Sequence, residues 1–298
     1  MKIKYTILTM ALISFSLVAS GQSLVFKVIS SKGQTEIKRG NKWTPVTRGT
    51  KVLEGSRLRI KENGYLGLVH KSGKPIQLKK QGEYDVNTLS SKINVRSTGF
   101  ASKYGNYIAS RMSGGSSSRI GTNNTASVTR EVLGNETISI LVQKKDSKIR
   151  LSPTVVSWDT EVAGPYIVTV SNLFDEEVYK IETTEKKAEI NLSGKEIEGG
   201  ICIMRVKSKT DEAAVSERSL NIVNDTKATT INTELAEIER ELDLNNALDN
   251  FFYATYFEDK ELNLEALHYY QTAMNMEPDV EDYKKAYKEF LQRQGFKN

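Results

Sequence analysis

The apolar residues of this chain follow two different periods, and the change between them limits the fold more than any other feature. From Leu24 to Val223 they alternate within short runs such as RLRI, YLGLVH, YIVTVSN and ICIMRVKS, the period-two pattern of strands with one buried face. From Thr226 onward they recur every three or four residues, as in TELAEIERELD, where Leu235, Ile238 and Leu242 form one stripe. A β-rich body followed by a helical end is expected, and the body is long enough for more than one core. The fold class is therefore multidomain: an all-β N-terminal domain, a β-sandwich in the middle and an α-helical C-terminal region.

Residues 1–22 read as a signal peptide. Lys2 and Lys4 precede an apolar run from Ile7 to Val18, too short for a membrane span, and Ala19, Ser20 and Gly21 supply small residues for cleavage. No cysteine follows the run, so no lipid anchor is expected. No later stretch reaches the roughly 20 apolar residues of a membrane helix. The expected location is outside the cytoplasm: periplasmic, associated with the outer membrane or secreted.

The net charge of +5 hides a strong polarity along the chain. Residues 23–150 carry 24 lysines and arginines against 8 carboxylates, a balance of +16, whereas residues 151–225 stand at −6 and residues 226–298 at −7. One basic module precedes two acidic ones.

Residues 23–98 form the first domain, with LVFKVIS, TEIKR, RLRI, YLGLVH and PIQL as strands. Glu62-Asn63-Gly64 predicts a type I′ hairpin, because Asn and Gly tolerate positive φ, and Ser72-Gly73-Lys74-Pro75 predicts another turn. The stretch GQTEIKRGNKWTPVTRGTKVLEGSRLRIKENGYLGLVHKSGKPIQL resembles the β-domain of the FecR family, with Trp43, Pro45, Gly49, Gly55, Leu58, Gly73, Ile76 and Leu78 in register. Ile60 stands where that family usually has threonine. The resemblance covers roughly 60 residues and implies an extracytoplasmic interaction domain. Founding members relay a transporter's state through a membrane helix ahead of this domain. No such helix is expected here after signal cleavage, so membrane signalling is not carried over.

Residues 99–148 change composition. Ser113-Gly114-Gly115-Ser116-Ser117-Ser118 and Gly121-Thr122-Asn123-Asn124 have the make-up of a linker or mobile loop, with a flanking strand. No Gly-Lys-Ser/Thr follows these glycines, so a phosphate loop is not indicated. Strands resume over 149–225 at the spacing of a sandwich. SPTVVSWDTEVAGPYIVTV, with Pro153, Trp158 and Tyr166, resembles part of a fibronectin-type or immunoglobulin-like domain. Cys202 is the only cysteine, which rules out an internal disulfide and suggests a buried, inert thiol.

In residues 226–298 a helix is expected to start near Thr233, and NALDNFFYATYFEDKELNLEALHYYQTAMNMEPD then resembles one tetratricopeptide repeat. Ala254 and Phe257 take the small and aromatic positions of its first helix, Ala266, Tyr270 and Ala273 the packing positions of its second, and Pro278 ends the unit. Asp279 is placed to cap a third helix, VEDYKKAYKEFLQRQ. One repeat is less than a self-sufficient array, so the hairpin should pack on the sandwich or on another protein.

Little of the inventory suggests chemistry. His70 and His268 are the only histidines, and neither has a histidine or cysteine at ligand spacing. The acidic clusters Glu258/Asp259/Glu261 and Asp279/Glu281/Asp282 read as helix-start charge rather than a cation loop. No catalytic, cofactor-binding or metal residues are expected, and an enzyme is disfavoured. Lys71, Lys74, Lys79 and Lys80 cluster along one hairpin as a candidate anion site. Tyr104 and Tyr107 are candidates for a glycan-binding face, whereas Trp43 and Trp158 are expected in cores. Two functions follow as expectations. One is an interaction scaffold or sensor/adaptor for envelope or periplasmic proteins. The alternative is a binding module for an anionic polymer (lipopolysaccharide, peptidoglycan or an acidic glycan), with no role for nucleic acid.

Overall fold

The computed structural model describes residues 23–93, 104–105, 107–108, 137–143 and 147–296. The expected signal peptide and the glycine- and serine-rich stretches at 113–118 and 121–124 lie outside the described residues.

The first module packs two four-stranded sheets face to face. Its strands are β1 Leu24–Lys32, β2 Thr35–Arg39, β3 Lys42–Pro45, β4 Lys51–Leu53, β5 Arg57–Ile60, β6 Tyr65–His70, β7 Pro75–Leu78 and β8 Gly82–Asp85. One sheet has the order β4-β1-β6-β7 and the other β3-β2-β5-β8. Alternation sets the facing: Leu58 and Ile60 of β5 join Phe26, Val28, Ile37, Leu66 and Leu68 in a buried core, while Arg57 and Arg59 point out. A short helix, α1 Val86–Ser91, follows, capped by the Asp85 side chain.

The Asn63 turn is not a hairpin. β5 and β6 belong to different sheets, and the Lys61–Gly64 turn carries the chain from one to the other, with φ +56° at Asn63. Positive φ at one residue was legible, but the partner of each strand was not. The turn at Ser72–Pro75 does join paired strands, Val69 opposite Pro75, and Gly73 sits there at φ +90°.

The middle module is also a sandwich. β9 Ile138–Ile140, β10 Ser147–Ile149, β11 Thr154–Thr160, β12 Tyr166–Ser171, β13 Glu177–Thr183, β14 Lys187–Ile190, β15 Ile201–Ser208 and β16 Val215–Ile222 form sheets ordered β14-β11-β9 and β10-β16-β15-β12-β13. β10 runs parallel to β16. The sandwich thus draws strands from before residue 149: β9 pairs with β11, opposing Ile140 to Trp158. Trp158 is a core residue as expected and meets Tyr166 edge-on at 5.3 Å. The buried Arg218 donates from Nη2 to the Ile140 carbonyl and from Nε to the Val142 carbonyl, both at 3.3 Å, which ties the β9 segment to β16.

Four longer helices complete the chain: α2 Asp225–Ile238, α3 Ala247–Asp259, α4 Asn263–Met276 and α5 Glu281–Arg293. α2 begins eight residues before the expected Thr233, because Asn224 caps it by accepting from the Lys227 amide. Asp279 does not cap α5: Val280 holds that position without a side-chain bond, and Asp279 pairs with Lys32 instead. The α3–α4 hairpin forms where the sequence places it. Ala254, Phe257, Ala266, Tyr270 and Ala273 are all buried, and Pro278 is exposed in the turn before α5.

The helices do not stand apart from the β-modules. Every residue of α3 from Ala247 to Phe257 is buried, the mark of a helix covered on all sides. Its cluster takes in Ile29, Tyr65 and Val69 from the first sandwich, and Leu264 of α4 enters the core of the middle one. The helical unit is a wedge shared by both.

Candidate functional site

Both histidines and the cysteine have structural settings. His70 is buried on β6 between two hydroxyls, Nδ1 at 2.8 Å from Ser72 Oγ and Nε2 at 3.0 Å from Ser90 Oγ. Burial, helped by the Lys71 charge, lowers its pKa and favours the neutral ring. His268 is half-buried on α4 beside Tyr269, and burial followed by Lys187 lowers its pKa as well. Cys202 lies in the middle core, where burial pushes its thiol up to about 12. Among the described residues no group of three or more His, Cys, Asp or Glu could hold a metal ion.

The four candidate lysines do not converge. Lys71 and Lys74 flank the β6–β7 turn, whereas Lys79 and Lys80 follow the other end of β7. At about 3.3 Å per residue the two pairs sit roughly 15 Å apart. Lys79 pairs with Glu277 at the end of α4, and the Lys74 charge acts on Asp249. Tyr104 is no glycan platform either: it is buried, edge-on to Tyr256 at 5.5 Å, and donates to Asp259 at 2.7 Å. Tyr107 packs against the same helical core. Beside them Gly105 meets Gly73 so closely that an added Cβ would lie 2.3 Å from its backbone.

Polar groups instead concentrate at the two seams of the wedge. At the first, Lys32 pairs with Asp279 at 2.7 Å, Arg48 pairs with Asp282 at 3.1 Å, and the Ser31 amide donates to Asp282 at 3.3 Å. Under them the Tyr65 and Tyr283 hydroxyls meet at 2.6 Å. Carboxylates of the acidic C-terminal region thus occupy part of the basic module's surface. At the second seam the fully buried Glu265 of α4 accepts from Arg150 Nε at 2.7 Å and from Thr154 Oγ1 at 3.3 Å. Burial pushes the Glu265 carboxyl up against the opposing pull of Arg150. The Arg150 guanidinium also lies 5.2 Å from the Phe257 ring. Lys148 reaches Glu261 alongside.

Among the surfaces that the wedge leaves uncovered is one on the first module. The outer face of β3-β2-β5-β8 carries Trp43, which is not in a core as expected but half-buried at the surface, with the Arg59 guanidinium 3.8 Å from its ring centre and Lys38 at 5.9 Å. The alternation of KWTP and RLRI holds the signal for this: Trp43 opposes Lys38, and Lys38 opposes Arg57, all on one face. The strand order that brings Arg59 over Trp43 was not in either segment. No family model matches the chain, and no curated protein matches it. Among the described residues, no helix is long and apolar enough to cross a membrane.

Proposed function

We propose that this is a non-enzymatic, exported envelope protein that serves as an interaction scaffold or sensor/adaptor. The observation that carries the reading is the wedge. A helical unit welded to two sandwiches by an apolar core and paired charges holds three modules in one fixed arrangement, which suits presenting surfaces rather than turning over a substrate. The finer assignments belong to this proposal. The first module carries the FecR-like motif. The middle one has a fibronectin-like strand order with its early β10 parallel to its last strand. The α3–α4 pair is tetratricopeptide-like, with small residues at the contact. Because that hairpin is enclosed, partners meet the outer surfaces rather than α3.

Crosslinking in intact cells followed by mass spectrometry tests this reading. The expected result is a defined set of envelope proteins joined to the outer surfaces, on a chain whose N-terminus lies between Gly21 and Ser23. Retention of Met1 on the native protein, or loss of function in His268→Ala with the fold intact, contradicts it. A second reading, binding of an anionic envelope polymer, is favoured by the +16 balance over residues 23–150.

A further inference from the structure

Several strand edges in this molecule are short or covered. β3 ends in Pro45, and β4 is three residues long with its Lys51 carbonyl taken by Arg39. The Tyr179 hydroxyl donates to the Glu189 carbonyl of β14, and α3 lies against β7. β13 is different. It is the edge of the five-stranded sheet, seven residues long and without proline, and it pairs only with β12. Among the described residues, no backbone group of Glu177–Thr183 bonds to anything but β12. The loop that leads into it carries an apolar tip. Leu173 and Phe174 are 52% and 71% exposed, and Asn172 Oδ1 fixes the loop by accepting from the Phe174 and Glu176 amides at 2.9 and 3.0 Å. Asp175, Glu176 and Glu177 follow directly, which does not suit an anionic bilayer surface.

The strand is complementary to itself about Ile181. In an antiparallel pair of β13 strands with the two-fold axis there, Lys180 of each copy stands opposite Glu182 of the other, and Ile181 opposite Ile181. Ile181 and Tyr179 lie beside the buried Val168 and Val170, so Lys180 and Glu182 share the outer face. Beyond the strand, the same axis brings the acidic tip of one copy, with Phe174, to the turn of the other that holds Lys186 and Lys187. The groups involved already have partners in their own chain: Lys180 with Glu177 at 3.7 Å, Glu182 with Lys209 at 3.0 Å, Asp175 with Arg205 at 3.7 Å and Lys187 with Glu185 at 3.3 Å. These are surface pairs, weak and easily shared. Glu177 faces Glu185 in this register, and each keeps its own lysine. We propose that two copies of this chain join through β13, edge to edge and antiparallel about Ile181, making one sheet of ten strands from two of five. The inference stands apart from the envelope reading and needs none of its partners. The contact is small, a short ladder flanked by two apolar tips, so dissociation in the micromolar range is expected.

Sedimentation equilibrium of the mature full-length chain, from low to high micromolar concentration, should show a mass rising toward twice the monomer. Lys180→Glu and Glu182→Lys each set like charges opposite one another at both ends of the axis, and each should raise the dissociation constant by about tenfold. Lys180→Glu combined with Glu182→Lys should restore the parent value, a rescue that a general charge effect does not produce. Phe174→Ser should also weaken the dimer, whereas Glu62→Lys, in the exposed turn of the first module, should leave it unchanged. Unaltered circular dichroism shows that each variant folds. A monomer across the whole range overturns the proposal, even if another protein binds β13. A dimer indifferent to the Lys180 and Glu182 variants uses another surface and overturns it too. A double variant as weak as the single ones refutes the pairing about Ile181.

Discussion

Arg150→Ala should open the seam between the middle sandwich and the helices, and the structure sets both the size and the pH dependence of the effect. Glu265 is fully buried, and its Oε1 accepts from Arg150 at 2.7 Å and from Thr154 at 3.3 Å. Removing the guanidinium leaves a buried carboxylate without its counter-charge, a change that costs about 3–5 kcal/mol. With a urea dependence of about 3 kcal/mol per molar, the helical transition should move down by more than about 1 M. The sign with pH follows from burial. The Glu265 pKa is raised in the folded chain, so folding is favoured while the group is protonated and loses ground as pH rises through the folded value. Loss of Arg150 raises that value further. The deficit of the variant against the parent should be largest at pH 7 and shrink toward pH 4, where the protonated form of Glu265 predominates in folded and unfolded chains alike. Urea titrations at both pH values, followed by helical circular dichroism, measure it. Arg150→Met combined with Glu265→Leu should recover most of the stability. An equal deficit at pH 4 and pH 7, or none at either, refutes the reasoning.

Asp249, pushed up to about 6 by burial, should likewise cost stability as pH rises from about 4 to 7. Asp249→Asn should flatten that part of the pH–stability curve and gain up to about 3 kcal/mol at pH 7, less whatever is lost from its bonds to the Asp243 amide and Asn246; an unchanged curve counts against it. Ala266→Arg puts a long charged side chain into the fully buried contact of α3 and α4 and should cost about 3 kcal/mol or more, read as lost helicity and as protease cleavage within 247–276. Cys202 should resist alkylation in the native chain at pH 8 and react once denatured, and modification of the folded protein within minutes would show that the thiol is not enclosed.

Local rules carried part of the fold. Alternation in RLRI and ICIMRVKS placed strands and facing correctly, and alanines at Ala254 and Ala266 marked the helix contact, because each signal lies within a few residues of its effect, whereas YLGLVH is a strand buried on both faces, since Tyr65 and Val69 meet the helices. What escaped depends on partners distant in sequence. Asn63 announces a positive φ but not whether the next strand pairs with the last. Asp279 looked like a cap because Lys32, its partner, stands 247 residues away. β9 and β10 are three residues each, too short to show a period, and β9 joins the sandwich through β11 and Arg218. Trp43 read as core for the same reason. An edge strand and a central strand look alike until the order of the sheet is known, and β3 is an edge.

The enclosed helix also sets an order of assembly. Tyr65 meets Tyr283 across 218 positions of sequence, and Ile29 and Val69 share its cluster. A chain made or translocated from its N-terminus presents these apolar groups long before their cover exists. The first sandwich can close its own interior early, but the outer face of its β4-β1-β6-β7 sheet stays greasy until α3 and α5 have emerged. Chains cut short before α3 should therefore carry a sticky surface, which the helices cover once they have been made.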